Sequence, residues 1–210
     1  MSADPTVTEL IRRVRAGEQG ARELLFDRYH AYLHVLARAQ LGRHLRGKCD
    51  SADVVQETLL EAHRDFAAFN GSAEPELLAW LRRILSHNLF NEARRFGAQQ
   101  RDTSREVSLD QVRAGVEHSS VALARGLAAS TPTPSQVASQ RESAVRLADA
   151  LARLPDDYRD VLLLRIFEEL PAEEVAQRMG RSAGAVRMLQ MRALQALREQ
   201  LASDGEQAPV

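Results

Sequence analysis

The stretch Leu170–Leu201, LPAEEVAQRMGRSAGAVRMLQMRALQALREQL, reads as a short helix, a tight turn and a second helix. Pro171 suits the first turn of a helix, where its missing N–H costs nothing, and Glu173 and Glu174 suit the positive end of the helix dipole. Val175, Ala176 and Met179 lie three or four apart and form an inner face. Gly180 then supplies a residue that takes positive φ just past a helix end. Ser182 is a good N-cap for the second helix, along which Val186, Gln190, Ala193, Leu197 and Leu201 share one stripe. Two helices packed across so short a turn need a small residue at their crossing, and Ala176 provides it.

Charge bears on what this unit does. From Arg178 to Arg198 there are five arginines (Arg178, Arg181, Arg187, Arg192, Arg198) and no acid, inside a chain whose formal net charge is only -1. Arginine forks match phosphate oxygens and guanine edges, and a recognition helix reads the major groove with residues near its N-terminal end. Arg181, Ser182, Ala183, Ala185 and Arg187 stand at such positions. The same pattern also fits an ordinary αα-hairpin with a solvated arginine face.

Working outward, 210 residues allow one large or two small domains, and 44% hydrophobic with 27% charged residues is ordinary globular composition. Aromatics are only 5%, Ala, Leu, Arg and Glu dominate, and no alternating β-branched run occurs, so the expected fold class is all-α. The longest apolar run, Val161–Leu164 continuing through Ile166 and Phe167, is broken by Arg165 and far too short for a membrane span. The N-terminus, with Asp4, Pro5 and Glu9, lacks the basic start and apolar core of a secretory signal, and the expected location is the cytoplasm. One cysteine, Cys49, excludes an internal disulfide framework, and without a CxxC pair no structural zinc is expected. His30 and His34 share a helix face without acid or thiol ligands at matching spacing, so they are read as surface or packing residues; no metal and no cofactor is expected.

Helical periodicity appears over Leu10, Ile11 and Val14, closed by Ala16-Gly17-Glu18, and again over Leu24, Leu25, Tyr29, Tyr32, Leu33, Leu36 and Leu41. Gly42–Lys48 is a basic break. From Asp50 to Glu76 there are seven acids against one arginine, Arg64. Asp50 or Ser51 caps a helix that carries Val54, Val55, Thr58, Leu59, Ala62 and Phe66 inward and Asp53, Gln56, Glu57 and Glu61 outward. That acidic face is either solvated or a docking face for a basic partner. Turn formers from Phe69 to Pro75 make a loop. Leu77, Leu78, Trp80, Leu81, Ile84, Leu85, Leu89 and Phe90 rebuild an apolar face, with Arg82, Arg83, His87, Asn88, Asn91, Arg94 and Arg95 on the other sides. A hydrolase built on Asp53, Glu57 and Glu61 is excluded, because no second carboxylate or histidine cluster completes a metal site.

Residues 97–142, rich in Ala, Ser, Thr and Pro, read as a flexible linker in which Leu109–Val116 and Val121–Leu127 form only transient helices. Periodicity returns at Val145, Ala148, Leu151 and Leu154, stops at Pro155, and resumes from Tyr158 to Phe167. The organisation expected is therefore a helical domain over 1–96, the linker, a helical domain over 143–202 containing the helix-turn-helix, and a fraying tail over 203–210.

Two lobes, each with an arginine-rich face, resemble a bacterial sigma factor of the extracytoplasmic-function (ECF) type, which keeps only the second and fourth sigma domains. The resemblance covers roughly Thr8–Phe96 and Ser143–Leu201, and rests on Asp53-Val54-Val55-Gln56-Glu57-Thr58 followed by Phe66, Phe69, Trp80-Leu81 and Asn88. It implies a promoter-specificity subunit without catalytic residues, whose partners are core RNA polymerase (its clamp coiled coil and flap) and promoter DNA, with an anti-sigma factor as a further candidate. Carried over by position, Asp53, Gln56 and Glu57 are polymerase contacts. Asn70 and Ser72 sit in the loop that captures a base flipped from the minus-ten element, and Arg82, Arg83, His87, Asn88, Asn91, Arg94 and Arg95 face the opening strands. Trp80 matches the family's tryptophan and is read mainly as a core residue, with direct base stacking as the alternative.

By the same resemblance, the second lobe is expected to read the minus-thirty-five element through Arg181, Ser182, Ala183, Ala185, Arg187 and Arg192. Where many members carry Ser-Arg-Leu-His-Arg-Ala-Arg, this chain has Met188-Leu189-Gln190-Met191-Arg192-Ala193-Leu194, so only Arg192 and Ala193 match. The alternative function is a helix-turn-helix regulator that binds duplex operators without polymerase.

Overall fold

A computed structural model describes residues 5–44, 50–100, 108–125 and 144–206, and every regular element among them is helical. The chain forms two compact units, Met1–His118 and Ser119–Val210.

The first unit is built on α2, Ala21–His44, against which α1 (Val7–Arg15), α3 (Ser51–Asp65) and α4 (Glu74–Gln100) all pack. Contact on several sides explains why α2 buries Leu25, Phe26, Tyr29, Leu33, Val35, Leu36 and Ala37, a spread wider than one stripe. Leu10, Ile11 and Val14 of α1, Val54, Val55 and Ala62 of α3, and Leu77, Leu78, Leu81 and Leu85 of α4 complete the core. Each large apolar side chain so buried contributes about 1.5–3 kcal/mol. Leu24, expected on the inner face of α2, is instead 54% exposed. Its neighbour Leu25 takes the core position, and two adjacent residues on a helix point about 100° apart.

Local signals set the helix ends. The Thr6 hydroxyl accepts from the Glu9 amide and starts α1, and the Asp50 carboxylate accepts from the Ala52 amide and starts α3. Gly17 and Gly20 take φ of 77° and 79° between α1 and α2. His34 meets the Ser51 hydroxyl at 3.2 Å, a packing role of the kind expected for it. The basic break expected at Gly42–Lys48 begins later, since α2 runs to His44; residues 45–49, including Cys49, lie outside the described residues.

Two parts of the expected linker are regular helix. Helix α4 continues to Gln100, and Leu109–Arg125 is one continuous helix, α5, in place of two transient ones. Val112, Val116, Ser119 and Leu123 of α5 are all buried. Burial of an amphipathic face stabilises a helix that propensity alone would leave marginal. The boundary between the units falls inside α5, between His118 and Ser119. The Ser130–Ser135 stretch lies outside the described residues.

The second unit contains a helix over 144–152 (α6), α7 (Asp156–Leu162), α8 (Ala172–Met179) and α9 (Ala183–Glu206). Pro155 sits at the N-cap of α7, and the end of that helix widens into a π-helical turn over Leu163–Phe167. Helix α9 packs on both α7 and α8 and buries Val186, Ala193 and Leu197, while Leu201 at the end of the stripe is half-buried. It runs past Ala202 to Glu206, beyond the expected end of the domain, and 207–210 lie outside the described residues. Gly180 takes φ 63°, and the Arg181 amide donates back to the Ala176 carbonyl at 2.9 Å, closing α8 as a Schellman turn. The Ser182 hydroxyl accepts from the Ala185 amide, so α9 starts where the sequence placed it.

Candidate nucleic-acid and partner interfaces

Helix α3 presents Asp53, Gln56 and Glu57 together on its exposed side, because Val54, Val55 and Thr58 are held in the core. Buried Thr58 satisfies its hydroxyl by donating to the Val54 carbonyl one turn back. Leu60, which sequence reasoning did not single out, lies on the same side and is 57% exposed. Leu60 lies three, four and seven positions beyond Glu57, Gln56 and Asp53, all on one helix side, and gives this face a mixed apolar and polar character.

Helix α4 separates the cations that the sequence grouped. Arg83, His87 and Asn91 recur every fourth residue and are exposed, as are Arg94 and Arg95. They make one polar stripe, with the Arg94 guanidinium 5.7 Å from the Phe90 ring centre. Arg82 and Asn88 turn inward. Arg82 donates to the Tyr32 hydroxyl at 3.2 Å and to Glu117 of α5 at 2.9 Å, and only 15% of its side chain is exposed. Burial works against its charge, but Tyr32 and Glu117 outweigh that and raise its pKa. The Asn88 amide donates to the Thr58 hydroxyl and to Glu61, tying α4 to α3. Arg113 of α5 meets His87 at 3.0 Å. An open groove of about 670 Å³ lies between the end of α3 and α4, lined by Arg64, Arg83, His87, Asn88 and Asn91. Trp80 also lines it, 5.2 Å from the Phe69 ring centre and 6.2 Å from that of Phe66, within an aromatic cluster of the half-buried core.

The loop before α4 is held from both sides. Arg15, the last residue of α1, donates to the Phe69 carbonyl at 3.0 Å and the Gly71 carbonyl at 2.7 Å. Glu76 accepts from the Ser72 amide at 2.6 Å and the Ala73 amide at 3.0 Å, and these two bonds hold its carboxyl below the usual carboxylate range. Tyr29 donates to Glu74 at 2.9 Å, pinning the start of α4 to α2. Asn70 and Ser72 are exposed. Neither Arg15 nor Glu76 was a sequence candidate. Glu76 stands at the third position of α4, where a capping glutamate reaches back to the start of its helix, and that was the available signal.

In the second unit Arg181, Ser182, Ala185 and Arg187 are exposed at the start of α9, Ala183 is half-buried, and Arg192 is exposed two turns on. The positive face counted along the sequence is reshaped by acids from elsewhere in the unit. Arg181 pairs with Asp157 of α7, Arg187 with Glu173 of α8 at 2.8 Å, and Arg178 with Glu168 and Glu174. Arg178, with 18% of its side chain exposed, is a structural ion pair and leaves the candidate face. Met188 and Met191, 51% and 65% exposed, stand between Arg187 and Arg192.

The chain matches a model of the Sigma-70, region 4 family over residues 150–199, which spans the helix-turn-helix. Over nearly its whole length it is similar to an ECF RNA polymerase sigma-E factor of Haemophilus influenzae, with 30% identity over 188 residues covering 89% of this chain and 90% of that one. The chain belongs to the ECF sigma factors. It is also similar to the ECF sigma factor SigD of Mycobacterium bovis, 27% identical over 98% of this chain and 86% of that one. SigW of Bacillus subtilis is 24% identical over 93% and 96%. Within this ECF sigma factor no described helix is long and apolar enough to cross a membrane, and no cluster of three or more histidine, cysteine or acidic residues that could hold a metal occurs among the described residues.

Proposed function

We propose that this ECF sigma factor docks on the clamp coiled coil of core RNA polymerase through the exposed face of α3 and directs initiation at its own promoters in the cytoplasm. Asp53, Gln56 and Glu57, with Leu60 beside them, make that contact. Asn70 and Ser72 take a flipped base of the minus-ten element, at an unstacking cost of a few kcal/mol that pocket contacts offset. The stripe of Arg83, His87, Asn91, Arg94 and Arg95 follows the single-stranded backbone, where phosphate contacts supply most of the affinity. Arg82 and Asn88 support that stripe from within. The second unit engages the polymerase flap and reads the minus-thirty-five duplex with Arg181, Ser182, Ala183, Ala185, Arg187 and Arg192. The protein contributes recognition, and the bond-making chemistry stays with the polymerase.

The observation that carries this reading is the first unit, where an acidic exposed helix and an arginine-bearing exposed helix are joined by a clamped loop whose polar side chains point to solvent. The test is reconstituted transcription. Added to core enzyme, the protein is expected to give discrete transcripts from a genomic template pool, and the free protein to show no comparable sequence-specific duplex binding. Tight operator binding by the protein alone, unchanged by core enzyme, would overturn the reading.

A further inference from the structure

In a surface loop, Asn and Ser side chains can fold back on neighbouring backbone N–H groups and satisfy them locally. The 69–73 loop does otherwise. The carbonyls of Phe69 and Gly71 are both taken by Arg15, and the amides of Ser72 and Ala73 are both taken by Glu76. Four main-chain groups are thus satisfied by two side chains from outside the loop, one on α1 and one on α4. Asn70 and Ser72, the residues that would otherwise do this work, are exposed.

Gly71 makes the clamp possible. A Cβ there would lie 2.6 Å from both the Glu76 Cβ and the Phe69 ring, closer than real Cβ contacts come, so the backbone approaches Glu76 only because the side chain is absent. The Arg15 guanidinium also stands 5.9 Å from the Phe69 ring centre, and its charge further lowers the Glu76 pKa. An ordinary helix cap explains the Glu76 bond to the Ala73 amide. It does not explain the Ser72 bond or the two Arg15 bonds that reach across 54 and 56 residues of sequence.

We propose that Arg15 and Glu76 are positioning residues for base capture: they fix the loop backbone from outside so that the Asn70 and Ser72 side chains are left to read a flipped base. This rests on the minus-ten reading given above. Preorganised donors and acceptors bind without paying the ordering cost at the moment of contact, so loss of the clamp is expected to weaken recognition of that one base and no other.

The experiment uses holoenzyme reconstituted from the full chain and core polymerase. Short single-stranded DNA selected from a random pool on the wild-type holoenzyme is remade with an abasic site at each position in turn, and each affinity is measured. In the wild type, one position is expected to carry a penalty of roughly ten-fold or more, in line with the worth of one stacked base. Asn70→Ala or Ser72→Ala should reduce that penalty, which locates the capture position. Arg15→Ala and Glu76→Ala should reduce it at that same position and leave the penalties elsewhere unchanged, with holoenzyme assembly and helical content retained. Glu76→Gln should keep it, because one amide oxygen can accept from both the Ser72 and Ala73 amides. If no position responds to Asn70→Ala or Ser72→Ala, the base-capture reading fails and the clamp proposal with it. If Asn70→Ala removes the penalty while Arg15→Ala and Glu76→Ala leave it intact, or weaken every position equally, the reading stands and the positioning role is overturned.

Discussion

The two units handle charge in opposite ways. In the first, the acids and bases of the candidate faces sit on separate helices: Asp53 and Glu57 are exposed on α3, and Arg83 and Arg94 on α4, while Arg95 pairs with Glu92 one turn back at 3.4 Å. In the second, cations at the start of α9 are matched by acids from α7 and α8, with Asp157 on Arg181 and Glu173 on Arg187. A segregated charge meets an incoming partner at once, whereas a paired one must exchange its partner. Exchange is cheap at an exposed site, since a surface ion pair contributes only about 0–1 kcal/mol. The Arg187–Glu173 pair, 64% exposed on both sides, is of that kind.

The sharpest way to break this comparison is to invert the segregated acids. Asp53→Arg with Glu57→Arg is expected to reduce core polymerase affinity by about 2–5 kcal/mol, more than ten-fold, with unchanged circular dichroism. Retained binding would place the docking face elsewhere. Next in size is the contrast between adjacent arginines. Arg82→Ala should destabilise the first unit by about 1–3 kcal/mol, because it strips the Tyr32 and Glu117 bonds from a mostly buried side chain, and thermal unfolding reads this directly. Arg83→Ala should leave the melting temperature alone and lower the slope of holoenzyme–promoter affinity against salt by about one. Equal melting shifts for the two would erase the distinction between inward and outward cations.

In the second unit, Arg187→Ala should weaken use of the upstream element by about 1–3 kcal/mol with little effect on holoenzyme assembly. Glu173→Gln should strengthen it a few-fold, since it releases Arg187 from competition; an unchanged affinity would show that the pair never opens to DNA. The smallest effect concerns His63. Its imidazole packs 4.5 Å from the Phe26 ring, and burial, reinforced by Arg22, lowers its pKa from 6.5. The unfolded chain therefore binds the proton first as pH falls. Stability should hold above about 6.5 and decline below it, and His63→Phe should flatten melting temperature against pH over that window.

These contrasts also explain what the sequence made legible. The helix-turn-helix could be read nearly residue by residue, because Gly180, Ser182 and the Val186–Leu197 stripe are all local signals. The exposed face of α3 followed equally well from the burial of Val54, Val55 and Thr58. What a local count cannot supply is the partner of each charge. Five arginines without an intervening acid looked like one positive face, yet Arg178 is consumed inside by Glu168 and Glu174. Likewise Arg82 and Arg83 are neighbours in sequence, and the helical rotation between them sends one to Tyr32 and the other to solvent. Helix α5 was hidden because its buried stripe, Val112, Val116, Ser119 and Leu123, contains a serine, and its composition otherwise resembles a linker. Nothing local in the sequence distinguishes Arg15, and only the fold brings it to the carbonyls of a loop more than fifty residues away.

Gly180 supplies the left-handed residue that turns the chain between α8 and α9. That residue and the Arg181–Ala176 bond set the bend, and Val186, Ala193 and Leu197 anchor α9 from beneath, while the outward residues Arg187, Met188, Met191 and Arg192 lie outside that buried anchor. Lettering can change while the type stays locked in its frame: substitutions along that outer row are expected to leave the fold intact and, on the proposed reading, to alter only which duplex element is recognised.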